Sequence, residues 1–149
     1  MGIDVTEMRA ARDNIEHLKL RHLTAVLGLG GSAGLLVAFS FSQQIADVLF
    51  RRLTAGILIP PEQEADFREA ALAEFANVVV GHCTGEFSKD GEHVSLSPPV
   101  VLEDAKSIFR MKNAMFGTIS MDTPNGPFDI HMVGPRDVFD AELNYRIGI

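Results

Sequence analysis

The sequence has no tryptophan, one tyrosine and one cysteine, Cys83, so it cannot form an internal disulfide and is expected to be held together by packing alone. Basic residues are also scarce. Thirteen Lys and Arg stand against 20 Asp and Glu, giving a formal net charge of -7 and a pI near 5.1. Nucleic acids and anionic membranes are held mainly by Lys and Arg, so neither is an expected partner, and a protein or small molecule is favoured instead. The N-terminal stretch, with Asp4 and Glu7 and no apolar run, does not read as a signal peptide, and the cytoplasm is the expected location. The five histidines, His17, His22, His82, His93 and His131, show no H-x-x-x-H spacing, and one cysteine cannot complete a structural zinc set, so no metal site is expected. The absence of a G-x-S-x-G elbow and of a P-loop leaves acyl-enzyme hydrolases and NTPases without support.

Charge is missing altogether from Leu23 to Ala46, a length that would span a bilayer. Gly28, Gly30, Gly31 and Gly34, followed by Ser40, Ser42, Gln43 and Gln44, would make a poor spanning helix. Within the same stretch Gly28-Leu29-Gly30-Gly31-Ser32-Ala33 satisfies the dinucleotide fingerprint G-x-G-x-x-G/A. Gly34 to Phe41 then reads as a strand where the fingerprint needs a helix, and no acidic residue follows at the distance a ribose contact requires. A glycine-turned hairpin is therefore expected, with strands over Leu18–Leu27 and Leu35–Phe41.

The 149 residues, 46% of them hydrophobic, fit one domain with its own core. Asp4 and Glu7 resemble a capping box, and Met8, Ala11, Ile15 and Leu18 recur at helical spacing, so a short helix over about 5–17 is predicted. Ser42 is placed to cap a second helix with Ile45, Val48, Leu49 and Leu53 on its buried stripe and Gly56 as its stop. Pro61 suits the first turn of a long helix running to about Gly85. Val94–Ser97 is a short strand ended by Pro98 and Pro99, and Val100–Leu102 can continue the sheet edge. Asn113–Met121 and Phe128–Val133 flank Asn125-Gly126, a hairpin signal. In the second of these strands Phe128, Ile130 and Met132 alternate with Asp129 and His131, which predicts one buried and one wet face. The predicted fold class is α+β, a mostly antiparallel sheet with helices packed on one face. The apolar residues of the tail 134–149 show no clear period, and the tail is left unassigned.

The long helix carries the most informative residues. At 100° per residue, Phe67, Ala71, Leu72, Phe75, Val78, Val79, His82 and Cys83 share one arc, on which Cys83 reads as a small buried hydrophobe. Glu74 and Asn77 lie outside it, one turn apart, beside Ala70, Ala73 and Gly81. Asn and Gly both disfavour a helix interior, Gly by about 1 kcal/mol relative to Ala. An acid and an amide thus project from a strip with little bulk around them, which another molecule can approach closely.

Glu74-Phe75-Ala76-Asn77-Val78-Val79-Val80-Gly81, reading E-x-x-N-x-x-x-G, resembles the signature helix of the CheC, CheX and FliY family of chemotaxis phosphatases and switch proteins. Leu23–Phe41 resembles the family's glycine-turned hairpin, Ser42–Leu53 its following helix, and Val94–Val101 its strand ending in proline. The resemblance covers about residues 20–133, a single CheX-like domain, and the single E-x-x-N motif is closer to CheX than to CheC, which carries two. It implies an aspartyl-phosphate phosphatase whose substrate is a phosphorylated CheY-type receiver domain. Asn77 would orient the attacking water, Glu74 would pair with the receiver's active-site lysine, and Ala70, Ala73 and Gly81 would admit the partner. The Mg²⁺ would belong to the receiver, no cofactor would be bound by this chain, and a homodimer is implied. A non-catalytic receiver-binding or switch module of the same fold, and a scaffold domain, are the alternatives. Two departures stand out: Ala70 occupies a position where CheC-type motifs often carry Asp or Ser, and the segment before the hairpin is short.

Overall fold

The computed structural model of the protein describes residues 3–13, 17–31, 34–87, 94–104, 107–109 and 114–135. The strands are β1 (Glu7–Asp13), β2 (His17–Lys19), β3 (Leu23–Gly31), β4 (Leu35–Phe41), β5 (Val94–Leu96), β6 (Val100–Glu103), β7 (Ser107–Phe109), β8 (Ala114–Asp122) and β9 (Phe128–Pro135). The helices are α1 (Gln43–Leu53) and α2 (Glu64–Phe87), the latter entered through a 3-10 turn at Pro61–Gln63. Seven strands form one antiparallel sheet in the order β1-β8-β9-β4-β3, and β3 is bordered by both β5 and β6; β2 and β7 pair separately. Pro98 and Pro99 lie between β5 and β6. Without amide hydrogens they cannot extend the ladder, so one edge is split into two short strands.

Both hairpins form, with altered detail. In the first, Gly28 and Gly30 lie inside β3 rather than in the turn, and the strand runs on to Gly31. Backbone N–H of Gly28 donates to Ser97 Oγ at 2.7 Å, and a Cβ on Gly30 would fall 2.6 Å from Ser95 Oγ. These glycines let the β5 edge come close, and no helix begins after them to receive a pyrophosphate. In the second hairpin Gly126 N–H donates to the Thr123 carbonyl at 3.1 Å, with Pro124 inside the turn and Gly126 at φ 110.

The N-terminal helix expected over 5–17 is replaced by β1, whose seven residues pair in register with β8 from Glu7↔Asp122 to Asp13↔Phe116. An available sheet edge outweighs a marginal helical propensity, because a short isolated helix is barely stable in water. Arg9 secures the strand through Glu7 at 2.7 Å and Asp122 at 3.0 Å. Ser42 occupies the N-cap position of α1, but its hydroxyl makes no capping bond. The buried stripe of α1 is Ile45, Ala46, Leu49 and Phe50; Ile45 and Leu49 are as expected, whereas Val48 and Leu53 are only partly buried.

The core lies between the helices and one face of the sheet. Leu23, Ala25 and Leu27 of β3, Val37, Phe39 and Phe41 of β4 and Phe128 of β9 are buried against Ile45 and Leu49 of α1 and Leu72 and Ala76 of α2. Phe75 of α2 meets Phe39, Phe41 and Phe128 edge-on, with ring centroids 6.1, 5.7 and 6.5 Å away. The two helices are joined by Arg68, which lies 3.2 Å from Asp47 and over the Phe50 ring.

The opposite face of the sheet is not wet. Asp129 and His131 are 8% and 3% exposed, in register with Thr24, Ser40 and Ala38, which are buried too. Alternation along one strand reports which residues share a face, and both faces are covered here. The buried carboxylate is satisfied by Arg21, whose Nε donates to Asp129 at 2.6 Å while its backbone N–H donates to Ser40 Oγ at 2.6 Å. Arg21→Met should cost about 2 kcal/mol in chemical denaturation by leaving that carboxylate without its charged donor. Adding Asp129→Leu should restore part of the loss, and a double-mutant cycle with no coupling would contradict the pairing.

His131 Nδ1 lies 2.9 Å from Thr118 Oγ1, and Nε2 is buried with no partner among the described residues. Burial pushes its pKa below the usual histidine value, Asp129 opposing and Arg21 adding to the effect. The unfolded chain, with a histidine pKa of about 6.5, therefore binds the proton more readily than the folded one. The contribution is complete above about pH 6.5 and is lost as pH falls from there toward the lowered folded value. The denaturation midpoint should drop between about pH 7.5 and about pH 5.5, and His131→Gln should shrink that drop; an equal drop in both proteins would rule His131 out as its source.

Candidate functional site

The turn at Pro61 places Glu62, Glu64 and Asp66 against the positive end of the α2 dipole, and the helix then runs 24 residues. Its buried side is Ala71, Leu72, Ala76 and Val80, with Phe75 and Val79 partly buried. This rotates the apolar arc from the one expected. Val78 is 42% exposed, and His82 and Cys83 are exposed. Helical stepping turns Val78 and His82 away from the sheet. Cys83 is turned toward it, but it borders an open apolar cleft.

On the outward side, Ala70, Glu74, Asn77 and Gly81 fall within roughly 60° of the helix circumference, with Ala73 on the flank. Glu74 and Ala70 are exposed, and Asn77, Ala73 and Gly81 are partly so. The rise between Glu74 and Asn77 is roughly 4.5 Å, which suits two groups acting on neighbouring atoms of one partner. Neither side chain makes a hydrogen bond or ion pair with another described residue. A Cβ built on Gly81 meets nothing within 4 Å, so the strip is open to solvent. Mid-helix residues on such a face ordinarily carry Lys or Glu paired at i,i+4, as Arg68 and Glu64 do at 3.4 Å one turn earlier. Here the face has small side chains and two uncommitted polar groups.

The structure thus brings all five sequence-predicted residues onto one accessible face. Exposed Val78, one turn after Glu74, borders it and was not anticipated; its place inside Val78-Val79-Val80 reads as core, and only the phase of the buried arc reveals it. Among the described residues no group of three His, Cys, Asp or Glu could hold a metal ion, and no helix is long and apolar enough to cross a membrane.

A mostly antiparallel sheet with a long helix packed on it is the fold this chain shares with solved CheX- and CheC-like structures. The family model for the chemotaxis phosphatase CheX matches residues 23–120, and the chain belongs to that family. CheX from Desulfovibrio desulfuricans has the same fold, with a TM-score of 0.70 at 18% identity over 83% of this chain and 81% of that one. The CheX–CheY–BeF3–Mg²⁺ complex from Borrelia burgdorferi matches with a TM-score of 0.63 at 16% identity, covering 89% of this chain and 84% of that one. FliY from Thermotoga maritima matches at 0.56 and 16% identity, covering 91% and 76%. No curated protein sequence matches.

Proposed function

We infer that the protein accelerates hydrolysis of the aspartyl phosphate on a CheY-type receiver domain, with Asn77 and Glu74 as the working residues. The observation that carries this reading is the α2 strip, where an acid and an amide without described partners stand one turn apart on a face cleared of bulk. Membership of the CheX family and the likeness to a protein crystallised with CheY support it.

The chemistry suits so small a site. In an acyl phosphate the bond to be broken is already weak; water attacks phosphorus, the P–O bond to the carboxyl oxygen breaks, and aspartate leaves as its carboxylate with inorganic phosphate as the other product. The catalyst's task is to hold the water in line, which a correctly placed amide can do by accepting one of its hydrogens. Asn77 takes that role, and Glu74 pairs with the receiver's lysine to set the depth and angle of docking. Ala70, Ala73 and Gly81 let the helix backbone come near enough for a short side chain to reach the phosphate. The receiver contributes its own Mg²⁺, which neutralises phosphate charge. We place the protein in the cytoplasm with its receiver, as a homodimer.

The test is to follow phosphate loss from a panel of phosphorylated receivers with and without the protein. Faster loss from at least one is expected. Binding without acceleration would instead support a receiver-docking module, a reading favoured by the FliY-like fold and by Ala70 in place of a polar residue; no affinity for any receiver would sink both.

A further inference from the structure

Glu74 and Asn77 alone would meet any receiver that offers a lysine and an aspartyl phosphate, so selectivity requires contacts beside them. Stepping around α2 from Glu74 toward the buried Phe75 reaches Val78, one turn on and 42% exposed. Stepping the other way from Asn77 reaches Thr84 and then Val80, both buried, which turn down toward Leu29 of β3 and Val94 of β5. On that flank α2 packs against β5. There Leu96 pairs in register with Leu29, which places it on the helix side of the sheet, and it is 36% exposed. The polar pair therefore lies between two exposed apolar side chains, one on its own helix and one on the sheet edge below. Exposed apolar residues scattered singly need no explanation, and position is what singles these two out. Leu36, Val100 and Leu102, of similar or greater exposure, point to the opposite face of the sheet with Val133, Val26 and Thr24.

On the reading that the protein acts on a receiver domain, we propose that Val78 and Leu96 are docking residues, two apolar shoulders that the receiver buries as its lysine and phosphate reach Glu74 and Asn77. A receiver that fits carries an apolar side chain on each side of its phosphorylated aspartate, roughly 10 Å apart, the width of one helix. Burial there acts twice. The contacts add affinity of their own, and they exclude water from the ion pair between Glu74 and the lysine, as the ring of modest contacts around a hot spot does. An ion pair with less water around it is worth more. A receiver with a charged side chain at either place would have to strip that charge of water against an apolar surface, and it is rejected for that reason. The polar pair then serves any receiver, and the shoulders choose among them.

The experiment uses the full chain and the phosphorylated receiver that the unaltered protein dephosphorylates fastest. Val78→Ser and Leu96→Ser remove apolar surface without adding charge. Each should raise the protein concentration needed for half-maximal acceleration by about fivefold or more, with the rate at saturation within about twofold of the parent's. Val78→Ile and Leu96→Met, which keep the apolar surface, should behave as the parent does. Serine and valine have similar helix propensity, so Val78→Ser should fold; should Leu96→Ser not fold, Leu96→Thr, better suited to a strand, takes its place. Leu58→Ser, on the fully exposed loop before α2 and roughly 25 Å along the helix from Val78, is the control and should change neither quantity. An unshifted half-maximal concentration in either folded variant, an equal shift in the Leu58 control, or a loss confined to the saturating rate would overturn the proposal and leave the phosphatase reading standing. Unaltered protein that speeds phosphate loss from no receiver would overturn that reading and this one together.

Discussion

Replacing Asn77 with Ala is expected to remove about 100-fold or more of the acceleration of receiver dephosphorylation proposed for this protein, with the melting transition unchanged. The magnitude follows from what an in-line water contributes: misplacing a reacting group by about 1 Å can cost two orders of magnitude, and without the amide nothing on the strip fixes the water at all. The fold should be indifferent, since Asn77 bonds to no other described residue and alanine favours a helix interior more than asparagine does. Glu74→Gln should act on a different quantity. It removes the charge proposed to pair with the receiver's lysine, so the concentration of protein needed for half-maximal acceleration should rise while the rate at saturation changes less. A single-turnover assay over a range of protein concentrations separates the two effects, and an Asn77→Ala protein as active as the parent would end the proposed mechanism.

The largest stability effect is expected at Phe41. The side chain is fully buried, stacked between Phe39 at 6.4 Å and Phe128 at 6.0 Å and met edge-on by Phe75 at 5.7 Å. Phe41→Ala leaves a ring-sized void bounded by three elements that cannot all move inward, and a loss of about 3–5 kcal/mol follows. For a domain of this size the melting temperature should fall by roughly 6–20 °C. Phe41→Leu, which keeps most of the volume, should lose far less, and equal losses for the two substitutions would mean that the cavity is not the cause.

Local signals carried the parts of the fold that local chemistry decides. Pro61 with three acids opens α2, Pro98-Pro99 splits an edge, and Pro124-Asn125-Gly126 turns the second hairpin; each works within a few residues of itself, and each was legible. What depends on distant residues was not. Met8 and Ala11 have helical spacing, yet β8, more than a hundred residues on, offers Glu7–Asp13 an edge to pair with. Asp129 and His131 alternate like solvent-facing residues, but Arg21 and Thr118 meet them under cover. β7, at Ser107–Phe109, is too short to announce itself. The candidate site was legible because Asn77 is out of place in a helix interior and stands one turn from Glu74 beside the small Ala70, Ala73 and Gly81. The error in the buried arc, which took in Val78, His82 and Cys83, arose because Val78-Val79-Val80 offers three apolar residues in a row and packing alone selects the phase.

Glu74 and Asn77 occupy the positions immediately before Phe75 and immediately after Ala76, and those two intervening residues are the ones that lock α2 to the sheet. The spacing between acid and amide is therefore set by the peptide units of one helical turn, and their height above the sheet by an aromatic cluster on the other side of the same turn. Within that turn the pair has no hinge. On the proposed mechanism, any dependence of the rate on signalling state is therefore expected to reside in the receiver, with this protein as a fixed gauge of the receiver's conformation.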